Sequence, residues 1–345
     1  MRVSEADKLT TSKFTRKPVA LLKVATGFFL FPYGVNIEMG LAVVLEGHTV
    51  ATQQTAAACV GDTPLLHLNL FDAELPQGVR IFAKAEHLNP SGSVKDRAAL
   101  SMILEGERSG KLRPGMTILD ATSGNTGIAY AVLGGERGYR VTVCLPGNAS
   151  NQRKRILRDR GVEIIETDPM LSTDGAQRIA RELYAANPGK FFYPDQYNND
   201  ANWRAHYETT ANEIWTQTDG KVTHFVTGLG TSGTFVGVVR RLRELNPTLR
   251  AIAVQPESPL HGLEGLKDMA TAVRPGIFDP SLVDATLEVS TEDALLMASK
   301  LGIEEALVVG PSSGANVLAA RRLGLSLQEP SVVVTILCDG GERYW

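Results

Sequence analysis

From about Thr63 onward, short apolar runs rich in β-branched residues alternate with longer stretches in which apolar residues recur every three or four positions. The first pattern suits a strand buried on one or both faces, and the second a helix with one apolar stripe. VRIFAKAE, MTILDAT, RVTVCLP, VEIIET, THFVTG, LRAIAVQP and SVVVTILCD predict strands. Between them, SVKDRAALSMILEGERSG predicts a helix with Ala99, Met102, Ile103 and Gly106 on one stripe and Gly110 near its C-terminus. NTGIAYAVLGGERG, NQRKRILRDRG, GAQRIARELYAANPG and TFVGVVRRLRELNP predict further helices. This alternation implies an α/β fold of mostly parallel sheets covered by helices. Ligands of such sheets bind beyond the carboxyl ends of the strands, so the loops there are the places to look for chemistry.

A chain of 345 residues has room for two domains of ordinary size. The pattern restarts near residues 197–205, which suggests an N-terminal α/β domain over 58–203 and a C-terminal one over 204–345. Residues 1–57 are set apart as an extension. Its apolar run VALLKVATGFFLFPYGV is interrupted by Lys23 and Pro32, and a spanning helix needs about 20 apolar residues, so no membrane anchor is expected. A formal net charge of -3 gives no reason to expect nucleic acid as a partner. Three cysteines, Cys59, Cys144 and Cys338, without CxxC spacing, argue against a disulfide framework or a zinc site and favour a reducing, cytoplasmic setting.

Five loops carry candidate chemistry. NPSGSVKDR places Lys95 just inside a helix, where a cation is disfavoured and a neutral, nucleophilic amine is favoured; taken alone, the segment fits a surface lysine beside Asp96 and Arg97 better. TSGNTG, residues 122–127, offers hydroxyls, an amide and free backbone N–H groups suited to a carboxylate. GLGTSGT, residues 228–234, lets backbone amides approach an anion and adds the hydroxyls of Thr231, Ser232 and Thr234. Its Gly228, Gly230 and Gly233 also satisfy GxGxxG, but the next strand ends on Gln255 rather than the acid that a dinucleotide ribose requires. GPSSGAN and CDGGERY complete the set.

In this order and spacing the motifs resemble the fold-type II pyridoxal-phosphate enzymes, which share a two-domain, tryptophan synthase β-like architecture. Within them GDTPLLHL, NPSGSVKDRAALSMI, DQYNN, AHYETTANEIW, THFVTGLGTSGT and PGIFDPSLVD are similar to the cysteine synthase B group over about residues 60–344. The resemblance implies pyridoxal 5'-phosphate as cofactor, with Lys95 as the residue that holds it. It further implies Asn125 on the cofactor's 3′ oxygen, Gly228 and the loop from Gly230 through Thr231, Ser232 and Gly233 to Thr234 around its phosphate, and Ser312 at its ring nitrogen. Thr122, Ser123, Thr126 and Gln196 would clamp a substrate carboxylate. A mobile subdomain over about 140–190 and a homodimer also follow from the resemblance.

The implied reaction is β-replacement, making L-cysteine or S-sulfocysteine from O-acetylserine and sulfide or thiosulfate. Alternatives on the same fold are a phosphoserine-using synthase, a serine or threonine dehydratase, and a cystathionine β-synthase; a catalytically silent binding paralogue is the non-enzymatic alternative. The segment GLEGLKDM carries Lys267 where the resemblance places basic residues, and Cys338 and Asp339 match a Cys-Asp pair near the end. Lys267 is either a cation at the pocket mouth, facing an anionic nucleophile, or a solvated lysine on a short helix; Asp268 is its expected counter-charge. Against the resemblance stands the Gly134–Gly135 pair inside a helix, where each Gly costs about 1 kcal/mol against Ala.

Overall fold

The computed structural model describes residues 44–45, 48–49 and 55–344. The chain divides into two units, Met1–Gln54 and Thr55–Trp345. In the first, strands β1 (Val44–Leu45) and β2 (His48–Thr49) pair antiparallel; the apolar run at 19–35 lies outside the described residues. Among the described residues no helix is long and apolar enough to cross a membrane.

The second unit contains two sheets. The larger has six strands, in the order β11 (Ala285–Val289), β10 (Arg250–Pro256), β9 (His224–Gly228), β12 (Ser331–Ile336), β4 (Val79–Lys84) and β3 (Leu65–His67). All its pairings are parallel except β3 with β4. The smaller is an all-parallel sheet of four strands, β7 (Glu163–Thr167), β6 (Arg140–Pro146), β5 (Thr117–Ala121) and β8 (Phe191–Phe192). Every strand predicted from the pattern is present.

The sheets cut across the linear division at 203/204. β4 pairs with β12 in register from Ser331 opposite Val79 to Ile336 opposite Lys84, so residues 65–84 complete the sheet of the C-terminal half. The division itself falls inside helix α5 (Asp200–Ala205). Parallel pairing needs long crossovers, and a crossover can span a whole intervening layer. The small sheet, built from residues 117–192, is such an intervening layer.

The helices follow the apolar stripes. α1 (Lys95–Arg108) buries Ala99, Met102, Ile103 and Gly106, and Gly106 is there for contact: a Cβ would stand 2.5 Å from the Phe192 ring. α2 (Asn125–Glu136), α3 (Asn151–Asp159) and α4 (Ser172–Ala186) pack on the small sheet. α6 (Ala211–Gln217), α7 (Gly233–Leu245), α8 (Thr291–Glu304) and α9 (Pro311–Ser326) belong to the second half. Between α5 and α6 the chain makes one π-helical turn, His206–Thr210, which the periodicity did not signal.

Candidate active site

The carboxyl ends of β4, β5, β8 and β9 deliver their loops to one cavity of about 540 Å³. Its wall includes Lys95, Thr122, Ser123, Thr126, Gln196, Gly230, Thr231 and Lys267. These eight candidates are therefore brought together from segments up to 172 positions apart, Lys95 being the first and Lys267 the last. Asn125, Gly228, Ser232, Gly233, Thr234, Ser312, Cys338 and Asp339 are not among the residues that line that cavity.

Lys95 is the first residue of α1. The loop before it is pinned on both sides: Val94 N–H donates to the Cys338 carbonyl at 2.8 Å, and Asp96 accepts from the Ser91 N–H at 2.6 Å and from its hydroxyl. Burial pushes the Lys95 ammonium below its ordinary pKa, with Cys338 and Asp339 opposing the shift. Burial also raises Asp96, to about 6. Asp96 and Arg97 are themselves buried, so the surface-cluster reading of this lysine does not hold.

The 122–127 loop is held by its own side chains. Gly124 N–H donates to Thr122 Oγ1 at 2.9 Å, and Thr126 donates to Gln196 Oε1 at 2.8 Å. Gln196 Nε2 donates to the Ala121 carbonyl at 2.5 Å. Gly124 has φ +140, a conformation that favours glycine. Beneath it lies Asp120, fully buried at the end of β5, which accepts from the Tyr130 hydroxyl at 2.9 Å and is raised by burial to about 7. Asn125 faces the end of the chain: its amide donates to Asp339 at 2.7 Å and accepts from Arg343 at 2.6 Å.

The 228–234 loop has no room for side chains at its glycines. A Cβ on Gly230 would collide with the Gly265 carbonyl, and one on Gly233 with the Asn202 amide. Ser232 takes the left-handed conformation, φ +68, as N-cap of α7. Asn202 Nδ2 donates to Thr231 Oγ1 at 3.1 Å. The result is a backbone cradle at a helix N-terminus, which suits a phosphate. Ser312 is buried beside the Cys338 thiol, whereas the Ser313 hydroxyl is taken by the Cys338 N–H at 2.8 Å. A phosphate cradle and a half-buried amine of lowered pKa on one cavity, with the buried neutral hydroxyl of Ser312 beside Cys338, fit pyridoxal phosphate. Gln255 donates from Nε2 to Glu288 Oε1 at 3.4 Å and offers no carboxylate to a ribose.

Lys267 departs from the reading as a solvated lysine on a short helix. Its segment is an irregular loop rather than a helix, and the side chain is only 6% exposed. The backbone N–H donates to the Leu229 carbonyl at 2.7 Å, which ties the loop to the phosphate cradle. The ammonium pairs with Asp174 of α4 at 2.5 Å and lies 5.2 Å from the Tyr197 ring centre. Asp268 is not its counter-charge; that carboxylate caps its own turn at Ala270 and Thr271.

Asp174, Asp120 and Arg153 escaped the sequence reading. Arg153, fully buried in α3, bridges Glu264, Asp339 and Tyr344. A buried arginine is expensive unless paired, but the partners of Arg153 lie 111 or more positions away in the chain, and Lys267 lies 93 positions from Asp174.

A family model for "Pyridoxal-phosphate dependent enzyme" matches residues 57–339. A cysteine synthase of Aquifex aeolicus is 46% identical over 85% of this chain and 90% of its own length. Cysteine synthase B of Escherichia coli is 41% identical over 84% and 94%. Among solved structures, cysteine synthase from Entamoeba histolytica superposes with a TM-score of 0.79 at 34% identity, covering 88% of this chain and 92% of that one. An O-acetylserine-dependent cystathionine β-synthase from Helicobacter pylori gives 0.80 at 34% identity, covering 84% and 96%.

Proposed function

Because the chain belongs to the family of pyridoxal-phosphate-dependent enzymes, we propose that its cavity carries out β-replacement on O-acetylserine with sulfide, yielding L-cysteine and acetate. The single observation that carries this reading is the convergence on one cavity of a lysine of lowered pKa, a carboxylate-binding loop and a phosphate cradle. The names of the relatives, cysteine synthase and cysteine synthase B, support the same reaction class.

Lys95 would hold the cofactor, the 228–234 loop its phosphate, Asn125 its 3′ oxygen and Ser312 its ring nitrogen. When bound, the cofactor supplies an electron sink next to the substrate's α-carbon. The chain supplies the rest. Thr122, Ser123, Thr126 and Gln196 orient the substrate carboxylate so that the α-proton faces Lys95. Lys95 Nζ is the base for that proton and returns it at the end of the cycle. Its lowered pKa, caused by burial, favours the uncharged form of that amine. Ser312, a neutral hydroxyl, does not impose a proton on the ring nitrogen as a carboxylic acid would, which favours loss of the β-substituent over transamination.

The choice of sulfide rests on the Lys267–Asp174 pair, because this cation on the cavity wall already has its counter-ion. Thiosulfate is the second reading, favoured by the position of Lys267 on the cavity wall. The enzyme would work as a cytoplasmic homodimer, with the 140–190 segment closing over the bound carboxylate. Purified protein assayed with O-acetylserine against sulfide and thiosulfate in parallel tests this: cysteine formation with sulfide as the more efficient reaction is expected. Deamination of serine or threonine without β-replacement would contradict it.

A further inference from the structure

His206 lies in the π-helical turn, 2% exposed, and touches the phosphate cradle from behind. Its Nδ1 is 3.0 Å from Thr210 Oγ1 and its Nε2 is 3.3 Å from Thr234 Oγ1. Single π turns inside helices often mark functional positions, and this one offers both ring nitrogens to hydroxyls. The ring is neutral: burial, together with the charges of Arg97 and Lys95, holds its pKa at about 3, while Glu86 and Glu213 oppose the shift. A neutral imidazole has one donor and one acceptor nitrogen.

Two arrangements are therefore open. In one, Nδ1–H donates to Thr210 and Thr234 donates its only hydroxyl proton to Nε2, leaving lone pairs toward the cradle. In the other, Thr210 donates to Nδ1, Nε2–H donates to Thr234, and the Thr234 proton is free to point at an anion. An anionic phosphate repels the first and accepts a hydrogen bond from the second. The segment 228–234 contains no Lys or Arg, so hydroxyl and backbone donors within the loop have to supply its hydrogen bonds.

We propose that His206 is a positioning residue that holds the Nε2–H tautomer and thereby turns Thr234 into a hydrogen-bond donor to the phosphate monoester of the cofactor. This rests on the proposed pyridoxal-phosphate function. His206 acts through Thr234 and takes no part in the chemistry at the substrate.

The test uses full-length holoenzyme dialysed against graded pyridoxal phosphate, with retained cofactor measured directly rather than through turnover. His206→Phe removes the donor, whereas His206→Gln can restore an N–H near the Nε2 position. His206→Phe should weaken cofactor binding about ten-fold, a change of about 1.4 kcal/mol, and His206→Gln should stay within about three-fold of the parent. Thr234→Val should match His206→Phe, and the double variant should lose no more than either single one. Should His206→Phe fail to fold, Thr234→Val and the ring nitrogen-15 shifts of His206 in the parent holoenzyme still decide, with a protonated Nε2 expected. Equal losses for Phe and Gln, additive losses in the double variant, a Thr234→Val that binds cofactor as tightly as the parent, or a protonated Nδ1 would overturn the proposal while leaving the proposed function standing. A parent chain that retains no cofactor would overturn both.

Discussion

Lys267 and Asp174 lie 93 residues apart in the chain and share one hydrogen bond at the cavity wall. Asp174 also accepts from the Val273 N–H at 2.7 Å, so its carboxylate is held in place rather than swinging freely. A dianionic nucleophile has to compete with that carboxylate for Lys267, while sulfide does not need the cation. A charge-assisted hydrogen bond contributes about 1.5–3 kcal/mol. Asp174→Asn should therefore raise the efficiency with thiosulfate relative to sulfide by about ten-fold or more, by the usual conversion of kcat/KM ratios to free energies. Lys267→Ala should lower the thiosulfate efficiency about ten-fold and barely change that with sulfide. Parallel kcat/KM measurements decide; a ratio unmoved by either substitution would leave the pair as a structural clasp. The sequence pointed to Lys267 but not to its partner, because Asp174 looks like an ordinary acid in the first turn of a helix.

Helix α2 shows how packing explains a local departure from propensity. Of its two adjacent glycines, Gly134 faces the small sheet, and a Cβ there would stand 2.9 Å from Ile118 Cδ1; Gly135 has nothing within 4 Å. The pair therefore separates into a glycine required by close approach and one with open space around it. Gly135→Ala should stabilise the protein by about 0.5–1 kcal/mol through helix propensity and a less flexible unfolded chain. Gly134→Ala should gain less or nothing, since Ile118 has to shift. Denaturant midpoints of the two variants at unchanged m-value check this, and an equal gain at both positions would contradict the packing argument. Strands and amphipathic helices were legible because their periods are written in neighbouring residues. The π turn was not, because a single inserted residue leaves no period of its own, and the Lys267 segment was mistaken for a helix because it has apolar residues at helical spacing but is tied by backbone bonds to Leu229.

Across the whole molecule, the cavity was legible as a set of loops and illegible as a shape. Lys95, the 122–127 loop and the 228–234 loop stood out because they follow strands whose carboxyl ends are where ligands of parallel sheets bind. Their assembly depends on β4 joining β12, a long-range pairing that no local pattern encodes and that makes a division at 203/204 a poor guide to the sheets. Asn125, expected toward a cofactor, is engaged by Asp339 and Arg343, so the end of the chain closes the back of the site. All of these arrangements bear on the proposal that the amine of Lys95 is the attachment point of pyridoxal phosphate. Borohydride reduction of the purified holoenzyme followed by peptide mass mapping tests that directly. The account predicts loss of the visible absorption band and a phosphopyridoxyl group on the peptide containing Lys95, and no such label in Lys95→Ala. A label on another lysine, or a cofactor that borohydride leaves unattached, would contradict it.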